Sequence, residues 1–304
     1  MSPTTASERL RLIRSLFPSL AAELDGAYER FGTDGGELAS ARDLDAWLDG
    51  EAARLRSDTL AHALFPGASA DAAQRLGRAF GLARAAADLL GTEVPEPETF
   101  AAAGVHFSRL GEHLDADPTL LAVPAPYGFG AEPWRAAFRL AAARHPEGLS
   151  VSDAHPDPLL LSTEATEEFA RLDAPPDATL AVVRSDRMLS VGVSSDGVSS
   201  DGAGSRVQWT LRLVPGADKP SVLGLGHTHG PHVSLPEILM LQLMRTEAGE
   251  SPIDASSFTW LAGTLADGRL AARHVFDERE GVIRISCREV GNQGPHLGAR
   301  PPIA

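Results

Sequence analysis

Apolar residues recur at helical spacing through the first half of the chain. Between Ser7 and Phe17, Leu10, Ile13, Leu16 and Phe17 stand three and four apart, which predicts a helix that stops at Pro18. Ser19 can cap a second helix, with Leu20, Leu24, Ala27 and Phe31 on one face, and Gly35-Gly36 breaks it. Ala41 to Phe65 reads as a third, burying Leu44, Trp47, Leu48, Leu55, Leu60 and Leu64. Ser69 to Leu90 is alanine-rich, turns Leu76, Phe80, Ala83 and Leu90 inward, and is closed by Gly91. Pro95 and Pro97 introduce a helix over Glu98 to His113. Asp115 to Gly130, with Pro124, Pro126, Gly128 and Gly130, reads as a connection, and Pro133 opens a last helix through Trp134 and Phe138 that ends near His145-Pro146.

The pattern changes after Gly148. A short helix is expected over Thr166 to Leu172, followed by strands over Thr179–Arg184, Met188–Val193, Val207–Val214 and Ser221–Gly226. The doublet Ser194-Ser195-Asp196-Gly197 and Ser199-Ser200-Asp201-Gly202 reads as a surface hairpin loop. Ser234 to Ala248 is a helix apolar on most sides, hence buried. Strands over Phe258–Leu265, Arg269–Phe276 and Val282–Val290 follow, with Ala266-Asp267-Gly268 as the turn between the first two. The tail from Gly291 to Ala304 reads as irregular. The fold class this predicts is α+β: an all-helical N-terminal domain, residues 1–148, and a mixed, mostly antiparallel α+β domain, residues 149–304.

Composition narrows the functional classes. The chain has 304 residues, 43% of them hydrophobic, which suits one large or two ordinary domains. A net charge of −14 with no basic stripe disfavours nucleic acid and anionic lipid as partners, leaving a protein or a small molecule. Arginine carries the positive charge and Lys219 is the only lysine, so a Schiff base would have to form there. Cys287 is the only cysteine, which rules out an intramolecular disulfide. Met1 to Leu24 has arginines among its apolar positions and does not read as a signal peptide, and no stretch approaches the roughly 20 apolar residues of a membrane span. The expected location is the cytoplasm.

The densest chemistry lies in Gly226-His227-Thr228-His229-Gly230-Pro231-His232, which holds three of the ten histidines. Imidazole is the commonest ligand of zinc and similar metals. An H-x-H pair in extended chain projects both rings from one face, and a third histidine past a Gly-Pro turn can fold back toward the same point. His227, His229 and His232 are therefore candidate ligands for zinc or another divalent transition metal. Ser234-Leu235-Pro236-Glu237 then opens the buried helix, and Ser-x-x-Glu is also an ordinary capping box. The tail run Asn292-Gln293-Gly294-Pro295-His296 with Arg300 is a further candidate to line a pocket, and His274 a candidate for another ligand or a group that supports the ligands. The chain has no G-x-G-x-x-G after a strand, no P-loop, no G-x-S-x-G and no H-E-x-x-H.

Over about 15 residues this run resembles the JAMM-type metalloprotease family, in which a strand ends in His-Ser/Thr-His and Ser-x-x-Asp opens the next helix. The resemblance implies His227 and His229 as metal ligands, Glu237 at the position of the family's aspartate and Ser234 beside the metal-bound water. The loop here, Gly230-Pro231-His232-Val233, is shorter than the family's, the carboxylate is Glu instead of Asp, and none of the upstream candidates Glu167, Glu168 and Asp177 sits in the context of the family's catalytic glutamate. The function implied is metal-dependent hydrolysis of an amide, isopeptide or ester bond. The competing expectation is a non-catalytic protein-binding module of the immunity, adaptor or scaffold kind.

Overall fold

The computed structural model describes residues 63–152, 155–176, 180–185, 207–223, 229–292 and 294–304. All belong to a unit, residues 61–304, that is compact in itself. The three helices expected before Phe65 lie almost wholly outside the described residues, as do the Met188–Val193 strand and the Ser-Ser-Asp-Gly doublet.

Helix α1 (Ala70–Leu89) starts where Ser69 accepts the Ala72 N–H, and its alanine face with Leu76 and Phe80 is buried. The helix expected after Pro97 is two pieces, α2 (Pro97–Ala102) and α3 (Phe107–Ala116), because the chain turns through Gly104 at φ 104° between them. Strand β1 (Leu120–Tyr127) leads into α4 (Ala131–Arg144). Strand β2 (Leu159–Leu161), the short helices α5 (Thr163–Glu167) and α6 (Phe169–Leu172), and strands β3 (Val183–Ser185), β4 (Val207–Pro215) and β5 (Ser221–Val222) follow. Then come α7 (Leu235–Glu247) and strands β6 (Phe258–Trp260), β7 (Leu270–Asp277), β8 (Val282–Glu289) and β9 (Leu297–Ala299).

The strands form two sheets, one ordered β1-β4-β3 and one ordered β2-β8-β7-β6-β9-β5. Helices α1 and α7 pack on β1, and Trp134, Phe138, Trp209, Leu239 and Ile283 are fully buried in a single core. Ten successive residues of α7, Leu235 to Met244, are buried, as its apolar sequence requires of a helix enclosed on all sides. The turn at Ala266-Asp267-Gly268 takes left-handed angles at all three residues, 48°, 55° and 85°, and closes between Leu265 and Leu270. Among the described residues no helix is long and apolar enough to cross a membrane.

Two expectations are corrected. The half of the chain before residue 148 is not all-helical: Leu120–Tyr127, read as a Pro/Gly-rich connection, is β1. It pairs antiparallel with β4 along its whole length, Leu120 opposite Pro215 and Tyr127 opposite Gln208. Proline lacks the N–H that a ladder needs, so Pro124 and Pro126 argue against a strand unless it lies at a sheet edge. Here both conditions for tolerance are met. β1 is an edge strand, and the Gly216 N–H bonds the Thr119 carbonyl, so odd-numbered residues exchange ladder bonds with β4. Pro124 and Pro126 share the other parity, and their nitrogens face away from the partner.

The tail is also not irregular. β9 lies inside the larger sheet, parallel to β6 and antiparallel to β5, and Ile303 exchanges two backbone bonds with Leu213 of β4 at 2.8 and 2.9 Å. The glycine that concealed this strand is required by it. A Cβ on Gly298 would stand 2.4 Å from the Ser221 carbonyl oxygen of β5.

Candidate functional site

The start of α7 is fixed by a capping box. The Ser234 hydroxyl accepts the Glu237 N–H at 3.4 Å, and the Glu237 carboxylate accepts the Ser234 N–H at 2.8 Å and its hydroxyl at 2.9 Å. Pro236, in the first turn, gives up no helical hydrogen bond there. The cap extends into a larger network. From β4, Arg212 donates Nε–H to Glu237 Oε1 and Nη2–H to Oε2, both at 2.6 Å. Glu237 is wholly buried and Arg212 5% exposed, so this is a two-pronged ion pair inside the core. Tyr127, the last residue of β1, bonds the Ser234 hydroxyl at 2.9 Å and stands 3.4 Å from the Thr210 hydroxyl. Burial, and then the Glu237 charge, push the Tyr127 phenol above its usual range. Ser234 and Glu237 are thus brought together, and both are engaged by the fold.

The histidine turn leads into this cap. His227 and Thr228 lie outside the described residues. His229 donates Nε2–H to the Gly263 carbonyl at 3.0 Å, since a carbonyl only accepts. His232, 5% exposed, takes the Gly230 N–H on Nε2 at 3.3 Å, which places its ring proton on Nδ1. The two rings meet edge to face with centroids 4.8 Å apart, and the Trp260 ring stands edge-on to His229 at 5.7 Å. Next along the chain, Val233 donates to the Arg300 carbonyl and accepts from the Ala262 N–H. The turn is anchored at the end of β6 and on the tail. Among the described residues, no group of three His, Cys, Asp or Glu side chains is placed to hold a metal ion.

A second buried network lies behind it. Asp254, in left-handed backbone at φ 65°, accepts from His274 Nδ1 at 2.9 Å, from the Thr259 hydroxyl at 2.7 Å and from Arg300 Nη2 at 2.6 Å. Arg300 also donates to the Pro215 carbonyl at 2.6 Å, and Gln242 Nε2 donates to His274 Nε2 at 3.1 Å. Asp254, His274 and Arg300 are all 0% exposed. Burial would raise the Asp254 carboxyl, but the hydrogen bonds from His274 and Arg300 and the Arg300 charge outweigh it and hold the group below its ordinary value. Both nitrogens of His274 are occupied inside the core, and Arg300 ties the tail down. Of the remaining tail candidates, Gln293 lies outside the described residues and Asn292 is exposed.

Sequence reasoning overlooked Arg212, Tyr127, Asp254 and Asp173. One signal was available. A lone arginine within the apolar run Val207–Val214 needs a buried anion, and the carboxylate of Ser234-x-x-Glu237 was the nearest in an equally apolar segment. Asp173 is 4% exposed and its Oδ2 accepts the Gly130 N–H at 2.7 Å before α4. Burial pushes its carboxyl up to about 6. Cys287 stands beside the Ser162 hydroxyl, and burial raises its thiol, the opposite of an activated nucleophile. No family model, curated protein or solved structure matches the chain.

Proposed function

We propose that this protein binds a divalent transition metal, zinc in the first instance, at the imidazoles of the Gly226–His232 turn. The observation that carries this reading is the bond from His229 Nε2–H to the Gly263 carbonyl. A backbone carbonyl on the far ring nitrogen is how metal-ligating histidines are commonly oriented, and ligation would then go through Nδ1. His227, two residues earlier, is the second ligand the sequence offers. His232 is the third, and it ligates through Nε2 only by giving up the Gly230 N–H. The absence of thiolates in the turn suits zinc, copper or nickel.

A bound metal of this kind polarises a carbonyl and acidifies its water. Hydrolysis of the kind the JAMM resemblance implies needs a proton acceptor as well. Both Glu237 oxygens accept hydrogen bonds from Arg212, and Oε2 also accepts from Ser234. In this reading Ser234 and Glu237 hold the turn against the core and do not meet a substrate. Those same bonds favour the second reading, a non-catalytic module whose partner is a protein. The single cysteine suits a cytoplasmic setting for either.

The test is metal analysis of the full chain purified after growth with zinc. About one equivalent in the wild type, lost in a normally folded His229→Ala variant, is the expected result. Equal metal content in the two proteins, or none in the wild type, would overturn the proposal.

A further inference from the structure

A groove of about 220 Å³ runs between α1, β1 and α7. Its floor is apolar, with Leu82 of α1, Leu121 of β1 and Met244 of α7. Three arginines and one glutamate line it, a local excess of positive charge in a chain of net charge −14. Arg75 is committed to the fold. Its guanidinium donates to the carbonyls of Leu114, Asp117, Pro118 and Leu120, where α3 ends and β1 begins. The other two cations meet at one carboxylate. Arg78 lies 3.1 Å from Glu250 Oε1 and Arg245 lies 3.3 Å from Oε2. Glu250 itself is 40% exposed and sits just past α7, after Gly249 at φ 69°.

The geometry points to a binding site for a small amphiphilic anion, an alkyl carboxylate whose chain lies on Leu82, Leu121 and Met244 and whose head sits between Arg78 and Arg245. Glu250 is a built-in stand-in for that head, holding the same two cations from the chain's own surface. An incoming carboxylate takes its place. Glu250 turns back to water and gives up an exposed pair with Arg78 that contributes little, while Arg245, 14% exposed and held by the Ser251 carbonyl at 2.8 Å, stays in place for the incoming head. At roughly 30 Å³ per water-sized unit the volume is on the order of a seven-carbon acid.

The experiment is calorimetric titration of the full chain with heptanoate, with heptanol and acetate as controls for the tail alone and the head alone. Saturable heptanoate binding at millimolar concentration or below is expected, at least tenfold tighter than either control. Leu82→Trp, which fills the floor, should abolish it. Arg245→Gln should weaken it at least tenfold, and Glu250→Gln, which removes the competing carboxylate, should tighten it about threefold or more. No saturable heptanoate binding overturns the proposal, and so does heptanol binding of equal strength. Heptanoate affinity unchanged in Leu82→Trp overturns it as well, as does affinity weakened in Glu250→Gln. Leu82 is half-buried in the groove floor and Glu250 is exposed, so those two variants decide the matter if Arg245→Gln does not fold.

Discussion

Glu237 shows how one residue can satisfy two descriptions. In sequence it is the last letter of a capping box and, by resemblance, a metal-site carboxylate. In the folded chain it is the buried counter-charge of Arg212. A cap alone would tolerate Glu237→Gln, because glutamine also serves in a capping box. A buried ion pair does not, because Arg212 then stays in the core without its carboxylate. We expect Glu237→Gln to cost about 3–5 kcal/mol in denaturant unfolding, and Arg212→Met with Glu237→Leu to recover most of the loss. A change below about 1 kcal/mol in the single variant would show that the pair contributes no more than its cap. Asp173 makes a prediction in pH. Its folded value of about 6 exceeds the ordinary 3.8, so its stabilisation is complete below 3.8 and is lost as pH rises through 6. That rise is equivalent to about 3 kcal/mol. Asp173→Asn keeps an acceptor for Gly130 and removes the charge. Thermal scans should show the variant gaining on the wild type between pH 4 and 7, and parallel curves would contradict the assignment.

The elements were legible where their signal was local. α1, α7 with its Ser234 cap, and the β7–β8 strands follow from periodicity and turn chemistry in the sequence. β1 and β9 were hidden because the residues that argue against them, Pro124, Pro126 and Gly298, are tolerated or required only by a neighbouring strand distant in sequence. The candidate site divides in the same way. Ser234 and Glu237 are three residues apart and could be paired by inspection. Tyr127 and Arg212 reach them from 107 and 25 residues away. Arg300 tests the tail as an element. It bonds Asp254 and the Pro215 carbonyl with no exposure to solvent, where β9 leaves the larger sheet and Ile303 joins the smaller. Arg300→Met should cost about 3–5 kcal/mol, because Asp254 loses its cation inside the core. A variant with wild-type stability and a tail no more protease-sensitive than the wild type's would show that β9 is not held in this way.

At the scale of the molecule, the buried residues do not separate at residue 148. Leu76, Trp134, Trp209 and Ile283 belong to one core, and the pairing partner of β1 is β4, on the other side of that position. A fragment spanning residues 61–148 keeps β1 without β4 or α7, and it should unfold or aggregate. A monomeric 61–148 fragment with a cooperative thermal transition would contradict this. The metal proposed for the histidine turn would meet an anchored segment, with His229 held on Gly263, His232 on Gly230, and the chain beyond fastened to Ala262, Arg300 and the α7 cap. The most direct test of that reading is calorimetric titration of the full chain with zinc at pH 7.5 and at pH 5.5. Protonated imidazole cannot ligate, so the account predicts about one zinc per chain at pH 7.5 and at least tenfold weaker binding at pH 5.5. No heat above background at pH 7.5, or binding that His229→Ala leaves unchanged, would contradict it.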